Sequence, residues 1–397
     1  MPRAVADRLA PFGTTIFAEM TALADRTGAV NLGQGFPDED GPEDLRRAAA
    51  AALIEGPNQY APGRGAPELR RAIADHRRRF HGVTIDPDTQ VQVTVGATEG
   101  VAASIIGLCD PGDEVVVLEP YYDSYAAVIA MAGAVRRPVT LRAPDFALDI
   151  DALRTTVEAS VARRDGDGRG GARVLLLNSP HNPTGRVLTT DELDAIAGLC
   201  VEHDLVAVCD EVYEHLAFAR PHVPLCVRPG MADRTLTVSS AGKTFALTGW
   251  KVGWVSGPAE LVDAVAAAKQ FLTFSGHGPL QQAIAVALAM PDAYFDGLRS
   301  RMASRRDRLV AGVRAAGLPA LVPEGGYFVT VDVSGTAEPD AIAFCRGLPE
   351  RAGVVGVPTT VFYDDREAGR SLVRLAYCKR ESVLDDAIAR LGAVDRW

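Results

Sequence analysis

The chain has 397 residues, a net charge of −10 at pH 7 and 47% hydrophobic residues, which is enough for one large and one small domain. The acidic balance excludes nucleic acid or an anionic membrane as the main partner, and the Arg77-Arg78-Arg79 and Arg163-Arg164 runs lie beside acids or glycines. Cys109, Cys200, Cys209, Cys226, Cys345 and Cys378 form no C-x-x-C pair and no Cys/His cluster, so the expectation is a reducing compartment and no structural metal.

In chain order, the start carries no basic-apolar-small signal pattern, and no 18-residue apolar span follows; the reading is a soluble cytoplasmic protein. A helix is predicted over Ile16–Arg26, then an irregular loop through Gly33, Gly35 and Pro37. Helices over Pro42–Leu53 and Pro67–Phe80 flank a Tyr60-Ala61-Pro62-Gly63-Arg64 loop. From Val91 onward, apolar runs alternate with helical ones, which predicts a parallel, doubly wound sheet.

Five strands are predicted to feed five loops. Val91–Val95 runs into Gly96-Ala97-Thr98, whose small residues open a helix to Leu108 and expose N–H groups suited to an anion. Glu114–Leu118 leads to Tyr121-Tyr122, and a helix over 149–162 precedes a glycine-rich surface loop at 163–171. Val174–Leu177 delivers Asn178-Ser179-Pro180-His181-Asn182-Pro183-Thr184-Gly185, a rigid loop. Leu205–Cys209 ends at Asp210-Glu211-Val212-Tyr213.

The fifth, Thr235–Val238, leads to a loop bearing Lys243 among small and aromatic neighbours, with Lys251 eight positions on. Burial near a second cation lowers a lysine's pKa from about 10.4, which suits imine chemistry. Such junctions converge outside the carboxyl edge of a parallel sheet.

Helices are predicted over Pro258–Phe271, Pro279–Ala289 and Asp292–Gly317. A small α/β unit then follows, with strands over 325–329 and 371–378, a helix over 340–351, and Ser382 with Asp385 as a cap for the last helix. Arg374 stands inside an apolar strand and needs a partner.

The run Ser240-Ala241-Gly242-Lys243-Thr244-Phe245, with Gly249-Trp250-Lys251-Val252-Gly253-Trp254 and the Asn-Pro loop, resembles the fold type I pyridoxal-phosphate aminotransferases. Within them it looks most like the kynurenine/glutamine transaminase branch, which bacterial N-succinyldiaminopimelate aminotransferases also resemble. The resemblance covers nearly the whole chain. It implies a large doubly wound domain over 41–285 and a small α/β domain from 1–40 and 286–397.

It further implies that Lys243 carries pyridoxal 5′-phosphate as an internal aldimine, that Asp210 pairs with the pyridine nitrogen, and that Tyr213 and Asn182 bond the phenolic oxygen. Tyr122 would stack on the ring. Ala97, Thr98, Ser240, Lys251 and the Tyr60 of a partner subunit would hold the phosphate, which implies a homodimer with shared sites. The segment from Phe271 to His277 aligns with a dimer-interface loop. Lys251 stands where the wider superfamily has arginine, and His181 where asparagine is frequent; His181 reads as a packing residue.

Arg374 and Asn182 would bind the substrate carboxylate, while Gly35, Phe17 and the Val361-Phe362-Tyr363 segment would line the substrate pocket. The implied activity is transfer of an amino group from an L-amino acid to a 2-oxo acid, with an aromatic, glutamine-like or methionine-like donor. The alternatives are N-succinyldiaminopimelate, with Arg64 of the loop entering the partner's site as its distal anchor, a specialised biosynthetic donor, or β-elimination from cysteine conjugates. An aminotransferase-like regulator is disfavoured by the acidic charge and the want of an extra N-terminal module.

Overall fold

The computed structural model describes residues 5–13, 15–395 and 397. Its large sheet has seven strands: β1 (Val91–Val95), β2 (Glu114–Glu119), β3 (Val135–Thr140), β4 (Ala172–Asn178), β5 (Val206–Asp210), β6 (Thr235–Ser240) and β7 (Val252–Ser256). The spatial order is β1-β7-β6-β5-β4-β2-β3, and β7 alone runs against its two neighbours. The expected α/β, mostly parallel architecture is therefore present, with β7 as an unanticipated antiparallel member.

Near-continuous apolar runs form these strands because both faces are buried. Along β2 and β4, Val116, Leu118, Leu175 and Leu177 enter one core, while Val115, Val117, Val174 and Leu176 enter the opposite one. β3 escaped the sequence reading because Arg136, Arg137 and Pro138 interrupt it. It is the edge strand, where charge and proline are tolerated. Helices Asp123–Met131 and Thr190–Glu202 were also missed, although the second opens on a capping box between Thr189 and Glu192.

A second sheet comprises β8 (Ala320–Leu321), β9 (Phe328–Asp332), β10 (Val357–Pro358) and β11 (Leu372–Ala376), in antiparallel order β10-β11-β9-β8. Met20 and Leu23 of the Ile16–Thr27 helix share a core with Val329, Val331, Phe344, Leu348 and Leu384, so the two ends of the chain pack together. A parallel pairing of Val30–Asn31 with Val354–Val355 adds to this junction.

Two local expectations are corrected. Ser382 and Asp385 do not cap the last helix: it spans Glu381–Gly392, so both lie inside it, and the Arg380 N–H instead donates to Asp38 Oδ1 at 2.8 Å. Lys243 is not on a loop, because β6 continues to Ser240 and a helical turn, Ala241–Thr244, follows at once. No described helix is long and apolar enough to cross a membrane.

Candidate active site

The carboxyl ends of β1, β4, β5 and β6 and the start of the helix after β2 open on one cleft of about 350 Å³. Ala97, Thr98, Tyr122, Asn182, Asp210, Tyr213, Ser240, Lys243 and Lys251 all line it. The opposite wall is Arg374 from β11, Phe328 from β9, and Phe17 with Gln34-Gly35-Phe36 from the N-terminal segment. Residues far apart in sequence meet here because strand ends of a parallel sheet face the same way.

Lys243 Nζ donates to the Gly35 carbonyl at 2.9 Å and lies 5.8 and 5.7 Å from the ring centres of Tyr213 and Tyr327. Tyr327 Oη donates to the Lys243 carbonyl at 2.5 Å, which pins the helical turn. Packing around the amine lowers its pKa to about 8. Arg374 and Lys251 push the same way, against Cys378 and Asp210. An amine so placed is neutral over a useful fraction of time near neutral pH, the state a nucleophile or base requires.

Asp210 ends β5 with its carboxylate buried. Desolvation raises its pKa to about 6, opposed by hydrogen bonds from Tyr125 and the Val212 N–H. Asn178 ties two predicted residues together: its Nδ2 donates to the Asp210 carbonyl at 2.8 Å, and its Oδ1 accepts from the Asn182 N–H at 2.6 Å.

Arg374 is 2% exposed. One guanidinium nitrogen donates to Asn182 Oδ1 at 3.1 Å and another to the Gly33 carbonyl at 3.0 Å, while Nε has no partner among the described residues. Phe328, Phe17 and Phe362 surround it, with the Phe328 ring centre at 3.9 Å. Burial lowers its pKa to about 10, so it stays charged at neutral pH. Among the described residues no acidic side chain pairs with this cation inside an apolar strand, and its guanidinium faces the cleft.

The far end of the cleft suits a dianion. Gly96 has φ +71°, and a Cβ there would lie 3.1 Å from Lys251 Nζ; a Cβ on Gly253 would lie 2.5 Å from the Gly96 carbonyl carbon. Only bare backbone leaves this cradle open. Ala97 and Thr98 open the 13-residue Gly96–Leu108 helix, whose dipole favours an anion, and Ser240 and Lys251 add a hydroxyl and a charge. A phosphate-bearing, aldehyde-bearing ring matches this donor set: cation and N–H groups at one end, the Asp210 carboxylate and the Lys243 amine beyond.

Several expected residues lie elsewhere. Tyr60 is 82% exposed and packs edge-on against Phe274, outside the cleft of its own chain. Arg64 is already paired with Asp263 and donates to the Thr89 carbonyl, so it does not present a free guanidinium. Phe362 backs Arg374 instead of lining the pocket, Tyr363 is buried with its hydroxyl on the Leu141 carbonyl, and Val361 faces outward. The apolar wall comes from Phe36 and Phe328 instead, together with Phe17.

His181 is buried, bonded through Nδ1 to Thr184 Oγ1 at 2.8 Å, with its pKa lowered to about 3 by burial. Outside the cleft, ligand-type atoms of His76, Glu214 and His215 lie within 4.8 Å of one another. They satisfy one another and their neighbours: His76 Nε2 meets His215 Nε2 at 2.8 Å, and Glu214 accepts from Ser239 and pairs with His81.

Sequence reasoning missed Asn178, Tyr125, Phe36 and Phe328. Asn178 and Tyr125 stand within four residues of expected ones, so their motifs were visible, but the bonds they make were not.

Residues 27–391 match the family described as aminotransferase class I and II. The chain is 50% identical to a probable N-succinyldiaminopimelate aminotransferase of Mycobacterium tuberculosis over 98% of each chain. It is 37% identical to a methionine aminotransferase of Escherichia coli over 97% of each. The solved structure of N-succinyldiaminopimelate aminotransferase from Mycobacterium tuberculosis superposes with a TM-score of 0.93, covering 98% of this chain and 100% of that one.

Proposed function

The chain belongs to the class I and II aminotransferases, and from that membership we propose that pyridoxal 5′-phosphate is its cofactor, held in the cleft around Lys243. The reading rests on one observation above others: an amine of lowered pKa, a buried carboxylate and a buried guanidinium face one cleft beside an anion cradle. Ala97, Thr98, Ser240 and Lys251 would hold the phosphate, Asp210 the ring nitrogen, and Tyr213 with Asn182 the phenolic oxygen. Tyr122 would lie against the ring.

When bound, the cofactor supplies an electron sink for the pair left at the substrate Cα. Lys243 would take up and return the Cα proton, and Asp210 would hold a proton at the ring nitrogen. Arg374 and Asn182 orient the amino acid through its carboxylate, and Gly35 brings backbone close to it. The first amino acid would leave as its 2-oxo acid with its amino group retained in the site, and a second 2-oxo acid would take that group up, in two half-reactions.

For the donor we propose an uncharged, bulky side chain, because the lateral wall is Phe17, Phe36 and Phe328. Among the described residues lining the cleft, the cations are Arg374, Lys243 and Lys251, each already assigned. A second reading, N-succinyldiaminopimelate, is favoured by the 50% identity to the protein so described. It requires a cation for the distal carboxylates, supplied by Arg64 of a partner subunit after release from Asp263. Comparing aromatic, methionine and glutamine donors with N-succinyldiaminopimelate, in wild type and Arg64→Ala, decides. Preference for the succinylated donor by orders of magnitude, lost in the variant, would overturn the apolar reading.

Further support bears on assembly and setting. Tyr60, Phe271 and Phe274 leave aromatic surface exposed, which fits a homodimer in which Tyr60 reaches the partner's phosphate. Six unpaired cysteines fit a reducing cytoplasm. The domain division at 41–285 against 1–40 with 286–397 is part of the same reading.

A further inference from the structure

We propose that Tyr125 is a positioning residue for Asp210, holding the carboxylate ionised and aimed into the cleft. The inference rests on the reading of Asp210 as the partner of the cofactor's ring nitrogen, and extends it to a residue outside the motifs.

The Tyr125 hydroxyl lies 2.6 Å from Asp210 Oδ2 and donates to it. Burial holds the phenol's own pKa well above its usual value, so the shared proton stays on the tyrosine. The other carboxylate oxygen, Oδ1, accepts a longer bond from the Val212 N–H at 3.3 Å. Among the described residues Tyr125 thus makes the shorter of two hydrogen bonds to a carboxylate whose ionised form burial disfavours.

The groups facing Asp210 come from three directions. Tyr125 and Tyr122 lie on the Asp123–Met131 helix and its cap, Lys243 follows β6, and Glu211, Val212 and Tyr213 continue its own strand. Lys243 favours the ionised form and Glu211 opposes it, while Tyr125 contributes the largest favourable effect.

Helix geometry explains why this tyrosine can act. Tyr122 is the N-cap and Tyr125 stands three residues on, so both project to one side. Their rings meet edge-on at 5.8 Å. One helix start therefore presents a ring wall to the cleft through Tyr122 and a hydroxyl to Asp210 through Tyr125. A shift of this helix moves both together.

The test is cofactor retention against pH in purified holoenzyme: wild type, Tyr125→Phe and Asp210→Asn. Each is dialysed across pH 5 to 9 and the bound cofactor is quantified by absorbance after alkaline release. Phenylalanine keeps the ring against Tyr122, so packing is preserved and thermal melting checks it.

Losing the hydroxyl raises the Asp210 pKa, so the carboxylate is neutralised at higher pH. The midpoint of cofactor loss is expected to move up by about one pH unit, with retention at pH 9 unchanged. A purely structural role would lower retention equally at every pH. That result, or an unmoved midpoint beside an Asp210→Asn variant whose pH dependence is flattened, overturns the inference alone. If Asp210→Asn keeps the wild-type profile, the underlying assignment of Asp210 falls and takes the inference with it.

Discussion

Replacing Arg374 with leucine tests the substrate end of the site most directly. The guanidinium is buried among three aromatic rings, and its only described protein acceptors are Asn182 Oδ1 and the Gly33 carbonyl, both uncharged. A substrate carboxylate would add an anionic hydrogen-bond partner that none of the described residues supplies, gripped by a planar fork in a desolvated setting. Removing one partner of such a pair costs about 2–5 kcal/mol, or roughly 30- to 4,000-fold in kcat/KM. Arg374→Lys keeps a charge but not the fork, and loses less. The assay is single-turnover kcat/KM for a good amino acid donor and for the matching amine without the carboxylate. The amino acid should lose by the factor above, and the amine by about threefold or less, since the missing contact is one it never made. Equal losses for both would mean that Arg374 shapes the cleft without binding the carboxylate.

Lys243→Ala is expected to abolish the cofactor's characteristic visible absorbance and nearly all turnover; a variant with a wild-type spectrum and rate would remove the core of the assignment. In wild-type apoprotein, the rate of cofactor capture should rise with pH through a midpoint at about 8, where half of the Lys243 amine is neutral, and level above it; a stopped-flow midpoint near the ordinary 10.5 would contradict the lowered basicity. Gly35→Ala places a Cβ 2.3 Å from the Phe328 ring, which should cost about 1–3 kcal/mol of stability and raise donor KM, read by melting and steady-state kinetics; an unchanged KM would mean that Gly35 is not at the substrate. Mixed dimers of Tyr60→Ala and Lys243→Ala should recover part of the activity through one intact site. No recovery despite proven subunit exchange would argue against shared sites.

The sequence was most informative where the chain is constrained by its own backbone. Apolar runs long enough to bury both faces marked five of the seven large-sheet strands, and small or proline-rich residues at their ends marked the loops. β3 was hidden because Arg136, Arg137 and Pro138 are permitted only by its edge position, which is a tertiary fact. β7 was read as part of the lysine motif, since Val252, Gly253 and Trp254 carry no signal of strand direction. The resemblance named Lys243 and Asp210, yet Tyr125 and Asn178, which hold Asp210 and its neighbour, could be found only from distances. Arg64 shows the converse limit of the sequence. Its loop suggested a free cation, but Asp263, 199 residues away, takes it up.

On the proposed assignment, the charges in the cleft would help Lys243 serve as both attachment point and base. Lys251 sits at the anion cradle and Arg374 on the opposite wall, and both depress the proton affinity of the amine between them. A phosphate at one end and a carboxylate at the other would each cancel part of that repulsion. The amine is therefore less basic before a carboxylate binds at Arg374, when, on the proposed role, it would have to be neutral to attack an aldehyde. It would become more basic once a substrate carboxylate sat at Arg374, when the same proposal has it take a proton from carbon. Burial accounts for most of the lowered basicity, and the two cations, whose anions would arrive with the ligands, would let it change between the two proposed tasks. For the same reason the capture profile belongs to the protein without a carboxylate ligand: an acid bound at Arg374 would move its midpoint upward.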